Sequence, residues 1–338
     1  MAERSCRTWA GSLRGMDQRP LGASGLAVSR LALGTMTWGR DTDEDDAAAQ
    51  LTAFLDAGGT LVDTADVYVD GHSERILGRL LRDVATRDAV VVATKAVSRR
   101  GASDGRERDA SRRHLLAALD ASLERLQTSY VDLWQLHAFD PATPLEETLS
   151  ALDTAVSSGR ARYVGVSNYS GWQTAKAATW QRAWPGRAPL VSTQMEYSLL
   201  QRGVEREVVP AARDAGLGIL PWSPLGRGVL TGKYRAGTPA DSRGASPMFA
   251  PFVEPYLDDR ASRVVGAVLT AADGLGVSPL VVSLAWIRDA PGVVAPIVGA
   301  RTVGQLTGSL DAESLVLPAE IRAALDDVSA PPRGYPEG

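Results

Sequence analysis

"LVDTADVY", Leu61 to Tyr68, opens as a short apolar run and closes on two carboxylates and a phenol. The run has strand length, so it reads as a buried strand that hands Asp63 and Tyr68 to the loop beyond it. Working outward, seven further runs share this plan: "RLALGT", "AVVVATK", "YVDLWQLH", "ARYVGVSN", "LVSTQMEY", "LGILPWS" and "VVAPIVG". Stretches with apolar spacing near three and four separate them, including residues 43–58, 109–127, 144–159 and 206–216. Strands alternating with helices call for a parallel sheet, and eight such units favour a closed (β/α)8 barrel over an open doubly wound sheet.

The punctuation agrees. Thr143, Pro144 and Glu146 supply an N-cap, a first-turn proline and a capping-box acid, and Ser278-Pro279 opens residues 279–290 in the same way. Gly159 and Gly216 stand where helices should stop. Two additions decorate the plan. Residues 17–29, "DQRPLGASGLAVS", form a hairpin signal around Gly22 and Gly25 ahead of the first strand. Residues 235–259 make a long Pro/Gly-rich excursion after the seventh strand, which predicts a lid carrying Met248, Phe249 and Phe252.

Composition bounds the function. A chain of 338 residues that is 44% hydrophobic and 22% charged buries a large core. A net charge of −4 without a long basic run argues against nucleic acid as a partner. Cys6 is the sole cysteine, and His72, His114 and His137 lie far apart, so neither an intramolecular disulfide nor a metal centre is expected. No segment approaches the length of an apolar membrane span, and the opening residues lack the apolar region of a signal peptide. The expected organisation is an N-terminal arm over residues 1–15, then one barrel domain over 16–338, in a cytoplasmic protein. The helical exterior leaves room for a homo-oligomeric interface.

Barrel strands deliver their C-terminal ends to one mouth. Asp63 and Tyr68 come from the second strand, Lys95 from the end of the third and His137 from the end of the fourth. Each is commonplace alone; together they make a proton-transfer apparatus. A free phenol, with a pKa of about 10, is a poor acid at neutral pH, but a neighbouring ammonium stabilises the phenolate. Lys95 can act so on Tyr68, Asp63 can keep Lys95 charged, and His137 can orient a substrate oxygen. Asp66 fits no such role and reads as loop structure. A proton donor without a nucleophile suggests carbonyl reduction with a hydride from a cofactor, yet the Rossmann glycine fingerprint is absent: "GRGVLTG" has the wrong glycine spacing.

In these features the chain resembles the aldo-keto reductase superfamily from about Asp17 onward. The resemblance rests on "GTMTWG" (34–39), "DTADVY" (63–68), "ATK" (93–95), "DLWQLH" (132–137), "GVSN" (165–168), "QMEYSLL" (194–200), "WSPLGRGVLTGKY" (222–234) and "PIVGARTVGQL" (296–306). It implies a TIM barrel and an NADPH-dependent carbonyl reductase with Asp63, Tyr68, Lys95 and His137 as the catalytic tetrad. It also implies a set of cofactor contacts. Gly34, Thr35, Met36 and Asp63 lie beside the nicotinamide; Ser167, Asn168 and Gln194 hold its carboxamide, and Trp222 stacks on it. Ser223, Pro224, Leu225, Gly226, Arg227 and Gly228, with Lys233, embrace the pyrophosphate. Gly299, Arg301 and Gln305 meet the adenosine phosphate, and Ser309 is a further cofactor-binding position. Arg301, a fork of donors that is always charged, favours NADPH over NADH. Where relatives commonly carry Glu and Asn, this chain has Gly308 and Ser309, which predicts weaker adenine contacts.

Met36, Trp38, Tyr68, His137 and Phe139 are expected to form the substrate pocket, an apolar and aromatic rim suited to aldehydes and ketones with hydrophobic bodies. Two other readings fit the same sequence. One is a cofactor-sensing or regulatory subunit with little turnover; the other is a specialised reductase of a nucleotide-linked sugar or polyketide intermediate.

Overall fold

The computed structural model describes residues 15–99, 101, 102, 105–240, 242–247, 249–332 and 334. The expected arm (residues 1–15) therefore lies outside the described residues except for Gly15, and so does the lid residue Met248. A two-stranded antiparallel hairpin comes first, β1 (Gln18–Pro20) and β2 (Ala27–Ser29). Eight parallel strands follow: β3 (Ala32–Gly34), β4 (Leu61–Asp63), β5 (Val91–Ala96), β6 (Val131–Leu136), β7 (Ala161–Ser167), β8 (Leu190–Glu196), β9 (Gly218–Trp222) and β10 (Ile297–Gly299). They pair in chain order, and β10 returns to pair with β3. A bridge between Ile219 of β9 and Val293, just ahead of β10, brings the last edges together. The expected (β/α)8 barrel and its hairpin are thus present.

Six helices follow the first six barrel strands in turn: α1 (Glu44–Asp56), α2 (His72–Asp83), α3 (Arg112–Leu126), α4 (Leu145–Ser157), α5 (Gly171–Arg182) and α6 (Val208–Asp214). After β9 the excursion contains the short α7 (Ala250–Val253), then α8 (Asp259–Leu275) and α9 (Pro279–Arg288) lead back to β10. The chain closes with α10 (Val303–Leu310) and α11 (Ala319–Ser329). α8 and α11 pack against one another as additions to the barrel repeat. Among the described residues no single helix is long and apolar enough to cross a membrane.

Local signals explain where these helices begin. Asp43, Ser111, Ser170, Asp258, Ser278 and Thr302 each accept a hydrogen bond from a first-turn backbone N–H, and Gln173 completes a capping box with Ser170. The expected cap at Thr143 is not formed. Pro144 is the cap residue of α4, and the Thr143 hydroxyl donates instead to Asp140 at 2.7 Å, because that carboxylate organises the preceding loop with Arg106 and the Ala110 N–H.

The core has two parts. Between sheet and helices lies the larger cluster, where Leu51 and Phe54 of α1, Val62, Val92 and Trp134 are all fully buried. Each such aliphatic or aromatic side chain contributes about 1.5–3 kcal/mol on burial. Inside the barrel a smaller cluster joins Leu61, Ala93, Leu133, Val191, Leu220 and Ile297, and the hairpin seals it with Leu21 and Val28. Gly22, at φ 59°, fits the turn there, since a Cβ would lie 2.6 Å from the Gly216 carbonyl oxygen. With Leu61, Ala93 and Leu133 inside, the period-two alternation of strands sends Asp63, Lys95, Gln135 and His137 inward too, above the plug.

Candidate active site

A cavity of about 470 Å³ opens above that plug, within the size range of small-molecule and cofactor sites. At one end stand Asp63, Tyr68 and His137; at the other stand Arg301, Gln305 and Ser309.

Strand register explains the first end. Asp63 lies opposite Ala93, so Lys95 rises one step higher on the adjacent strand and its ammonium folds back over the carboxylate. Lys95, fully buried, donates to Asp63 Oδ2 at 2.6 Å, to the Thr64 carbonyl at 2.8 Å and to the Tyr68 hydroxyl at 3.4 Å. Burial alone pushes this ammonium toward neutrality, but the Asp63 charge and then Tyr68 outweigh it and hold the lysine above its ordinary pKa. Its Nζ also lies 5.0 Å from the centre of the Tyr68 ring. His137 presents its edge to that ring, with centroids 6.1 Å apart and planes at 80°. The four expected tetrad residues are therefore gathered at one wall.

Asp63 has a second commitment. Its Oδ1 accepts from Gln194 Nε2 at 2.9 Å and from Gln135 Nε2 at 3.5 Å. This bond fixes the Gln194 side-chain amide at the cavity wall. Nearby, the Trp222 indole N–H donates to Asn168 Oδ1 at 3.1 Å, while Asn168 Nδ2 donates to the His137 carbonyl at 2.9 Å and to Ser167 Oγ at 3.2 Å. Asn168 adopts φ 55°, a left-handed conformation that asparagine tolerates better than most residues. This indole bond ties the loops after β6, β7 and β9 together, something a phenol at position 222 could not do with the same geometry.

The cavity suits a dinucleotide phosphate by its own chemistry. Trp222 gives a flat wall, Gly228 at φ 93° keeps backbone bare near Lys233 Nζ, and Arg301 supplies a second cation beside the N-terminus of α10. Arg301 N–H donates to Gln305 Oε1 at 3.0 Å, which fixes the turn into that helix. The buried Ser309 hydroxyl donates to the Gln305 carbonyl at 2.9 Å, and a Cβ at Gly308 would meet nothing within 4 Å. That end of the cavity therefore offers few side chains beyond Arg301 and Gln305.

Several expected positions stand elsewhere. Trp38 is fully buried away from the cavity, its indole N–H bonded to Gln50 of α1 at 3.1 Å; the tight turn from Thr35 carries it into the core, where the amide satisfies it. Phe139 is not on the cavity wall either, because it turns outward to pack edge-on against Tyr169 and Trp172. Gly226 (φ 54°) lies off the wall, close to Leu200. Arg227 reaches the wall, but its guanidinium is committed to Glu196 through two bonds of 2.7 and 2.6 Å and covers the Phe252 ring at 3.5 Å. That pair spends the charge expected for a pyrophosphate and instead pins the excursion after β9. Phe252 accordingly lines the cavity, near-parallel to Trp222, and Phe249 lies under Arg40 of the first-strand loop at 4.7 Å.

The structure also adds residues that were not anticipated. Thr37, Thr231, Leu280, Ile297 and Val298 line the cavity, and Gln135 supports Asp63 from below. Only Gln135 had a signal, as a polar residue on the inward face of an apolar strand. Among the described residues no group of three or more His, Cys, Asp or Glu side chains could hold a metal ion.

Comparison with known proteins gives the chain's relatives. Residues 30–330 match the family model described as the Aldo/keto reductase family. The chain is 38% identical to the oxidoreductase YrpG of Bacillus subtilis, covering 94% of this chain and 98% of that protein. It is 36% identical to a probable voltage-gated potassium channel subunit beta of Oryza sativa, over 95% and 98% of the two chains. Versiconal hemiacetal acetate reductase of Aspergillus parasiticus is 32% identical over 95% and 99%.

Proposed function

Because the chain belongs to the aldo/keto reductase family, we propose that it reduces aldehyde or ketone carbonyls to alcohols with NADPH, reversibly. The observation that carries this reading is the Lys95 ammonium, bonded at once to Asp63 and to the Tyr68 hydroxyl on the wall of the cavity. When bound, NADPH supplies the hydride. Tyr68 and His137 receive the carbonyl oxygen, and Tyr68 gives its proton to the alkoxide that develops there. Lys95 stabilises the phenolate left behind, and Asp63 keeps Lys95 charged and in place. Ser167, Asn168 and Gln194 would hold the carboxamide, Trp222 would stack on the nicotinamide, Gly228 and Lys233 would take the pyrophosphate, and Arg301 would take the adenosine phosphate. Met36 and Phe252 give the mouth its apolar character, which suits a carbonyl on a hydrophobic body.

A second reading has its own support in the relatives named as potassium channel subunits: an NADPH-binding subunit in which turnover is slight. One experiment separates the two. NADPH and NADH are titrated against tryptophan fluorescence, and a panel of aldehydes and ketones is then followed by cofactor absorbance. The reductase reading expects NADPH binding with turnover on at least one carbonyl. It also expects Tyr68→Phe to lose about 10²–10⁴-fold in turnover while binding NADPH as before. Tight NADPH binding with no turnover across the panel favours the binding subunit; a Tyr68→Phe protein that turns over normally removes Tyr68 as the acid.

A further inference from the structure

Behind the wall of the cavity, the loop that carries Tyr68 is held by a second set of charges. The Asp66 N–H donates to the Lys95 carbonyl at 3.1 Å, so the loop grips Lys95 by its backbone as well as by its ammonium. Past Tyr68 the chain runs through three successive left-handed residues: Val69 at φ 49°, Asp70 at 53° and Gly71 at 80°. A β-branched residue takes that conformation only where its surroundings impose it. Here they include Arg125 of α3, whose Cδ would lie 2.6 Å from a Cβ at Gly71. Arg125 Nε donates to Glu74 Oε2 at 2.6 Å, and the Thr94 hydroxyl donates to Glu74 Oε1 at 2.6 Å. Glu74, on α2, is fully buried, so this pair joins α2, α3 and β5 directly behind the loop.

The Asp66 carboxyl faces this set. The charges of Glu74 on α2, Arg125 on α3 and Lys95 on β5 all act on it, and the Val67 N–H donates to it. Its Oδ1 is buried and accepts no hydrogen bond. As a carboxylate it would be largely desolvated and repel Glu74, costs that outweigh the Val67 N–H and an Arg125 already bonded to Glu74; as a neutral acid it avoids both. Burial, and then the Glu74 charge, push its pKa up to about 7.

We propose that Asp66 is a positioning residue for Tyr68: its neutral form leaves the strained loop seated on Lys95, and its ionised form competes with Glu74 for Arg125 and draws Tyr68 away from the Lys95 ammonium. This rests on the reductase reading for its effect on turnover but not for the titration itself. The sign of the stability effect follows from linkage. Between about pH 4, where an unfolded aspartate ionises, and about pH 7, the folded protein keeps a proton that the unfolded chain has lost. Asp66 therefore subtracts stability as pH rises through that window.

The test compares wild type with Asp66→Asn, whose amide stands in for the neutral acid. Turnover of the best carbonyl substrate in wild type falls about three-fold or more between pH 6 and 8, while Asp66→Asn keeps the acid-side rate throughout. Glu74→Gln, which removes the repelling charge, moves the wild-type transition to lower pH. Independently of turnover, the melting temperature of Asp66→Asn gains on wild type by about 5–10 °C between pH 4 and 8. In protein with labelled tyrosine rings, the resonance assigned by Tyr68→Phe moves through pH 7 in wild type and stays still in Asp66→Asn. Superimposable pH profiles for the two proteins, or a Tyr68 resonance that does not move, overturn the proposal. If neither protein reduces any carbonyl, the reductase reading falls, while the melting and resonance data still decide the role of Asp66.

Discussion

At the Tyr68 end of the cavity, polar side chains are bonded to one another: Asp63 alone is shared by Lys95, Gln194 and Gln135. At the Arg301 end, Gln305 holds a backbone N–H, Ser309 bonds to backbone, and the Arg301 guanidinium makes no ion pair among the described residues. The near end is a buried network in which each group fixes the next, so the loss of one member strands its partners. The far end is a set of separate contacts along one short helix, from the turn at Arg301 to Ser309 near its C-terminus, where a change is felt locally. On the proposed reading, such a division would let cofactor preference vary without disturbing the chemistry.

Three substitutions probe this division, in descending order of effect. Lys95→Met leaves Asp63 buried without its counter-charge, so a denaturant titration should report a loss of about 3–5 kcal/mol, together with lost turnover. A near-neutral result would mean the network is not coupled as its geometry suggests. Arg301→Ala should weaken NADPH binding by about 10–100-fold, leave NADH binding nearly unchanged and preserve melting, as read by fluorescence titration. Equal losses for both cofactors would move Arg301 away from the adenosine phosphate. Gly308→Ala, in open space on α10, should raise stability by about 0.5–1 kcal/mol without altering turnover; a decrease would show that the far end is more tightly constrained than it looks.

The same contrast governs how much could be read from the sequence. All eight barrel strands were legible because each is a short apolar run bounded by turn residues, and the gathering of Asp63, Tyr68, Lys95 and His137 because each stands at or just past the end of such a run. Trp38 and Phe139 misled because an aromatic residue near a strand end can turn to the core or outward with equal ease; Gln50 and the pair Tyr169 and Trp172 decided the matter in three dimensions. Arg227 likewise carries no local sign that Glu196, thirty-one residues earlier, would claim its charge. The set behind Tyr68 was equally hidden. Glu74 sits in "HSERILG" like any exposed helix acid, and only the approach of α3 through Gly78 buries it.

The hairpin that seals the barrel floor has a consequence for the order of assembly. Leu21 and Val28 leave the ribosome early, yet the residues they cover include Val191, Leu220 and Val294, and β3 must wait for β10 to supply its second neighbour. Synthesis and closure therefore run in opposite directions: a segment made early is among the last to be satisfied. Contacts this distant in sequence make slow folding the expectation, with the floor of the barrel open to water until its final strand arrives.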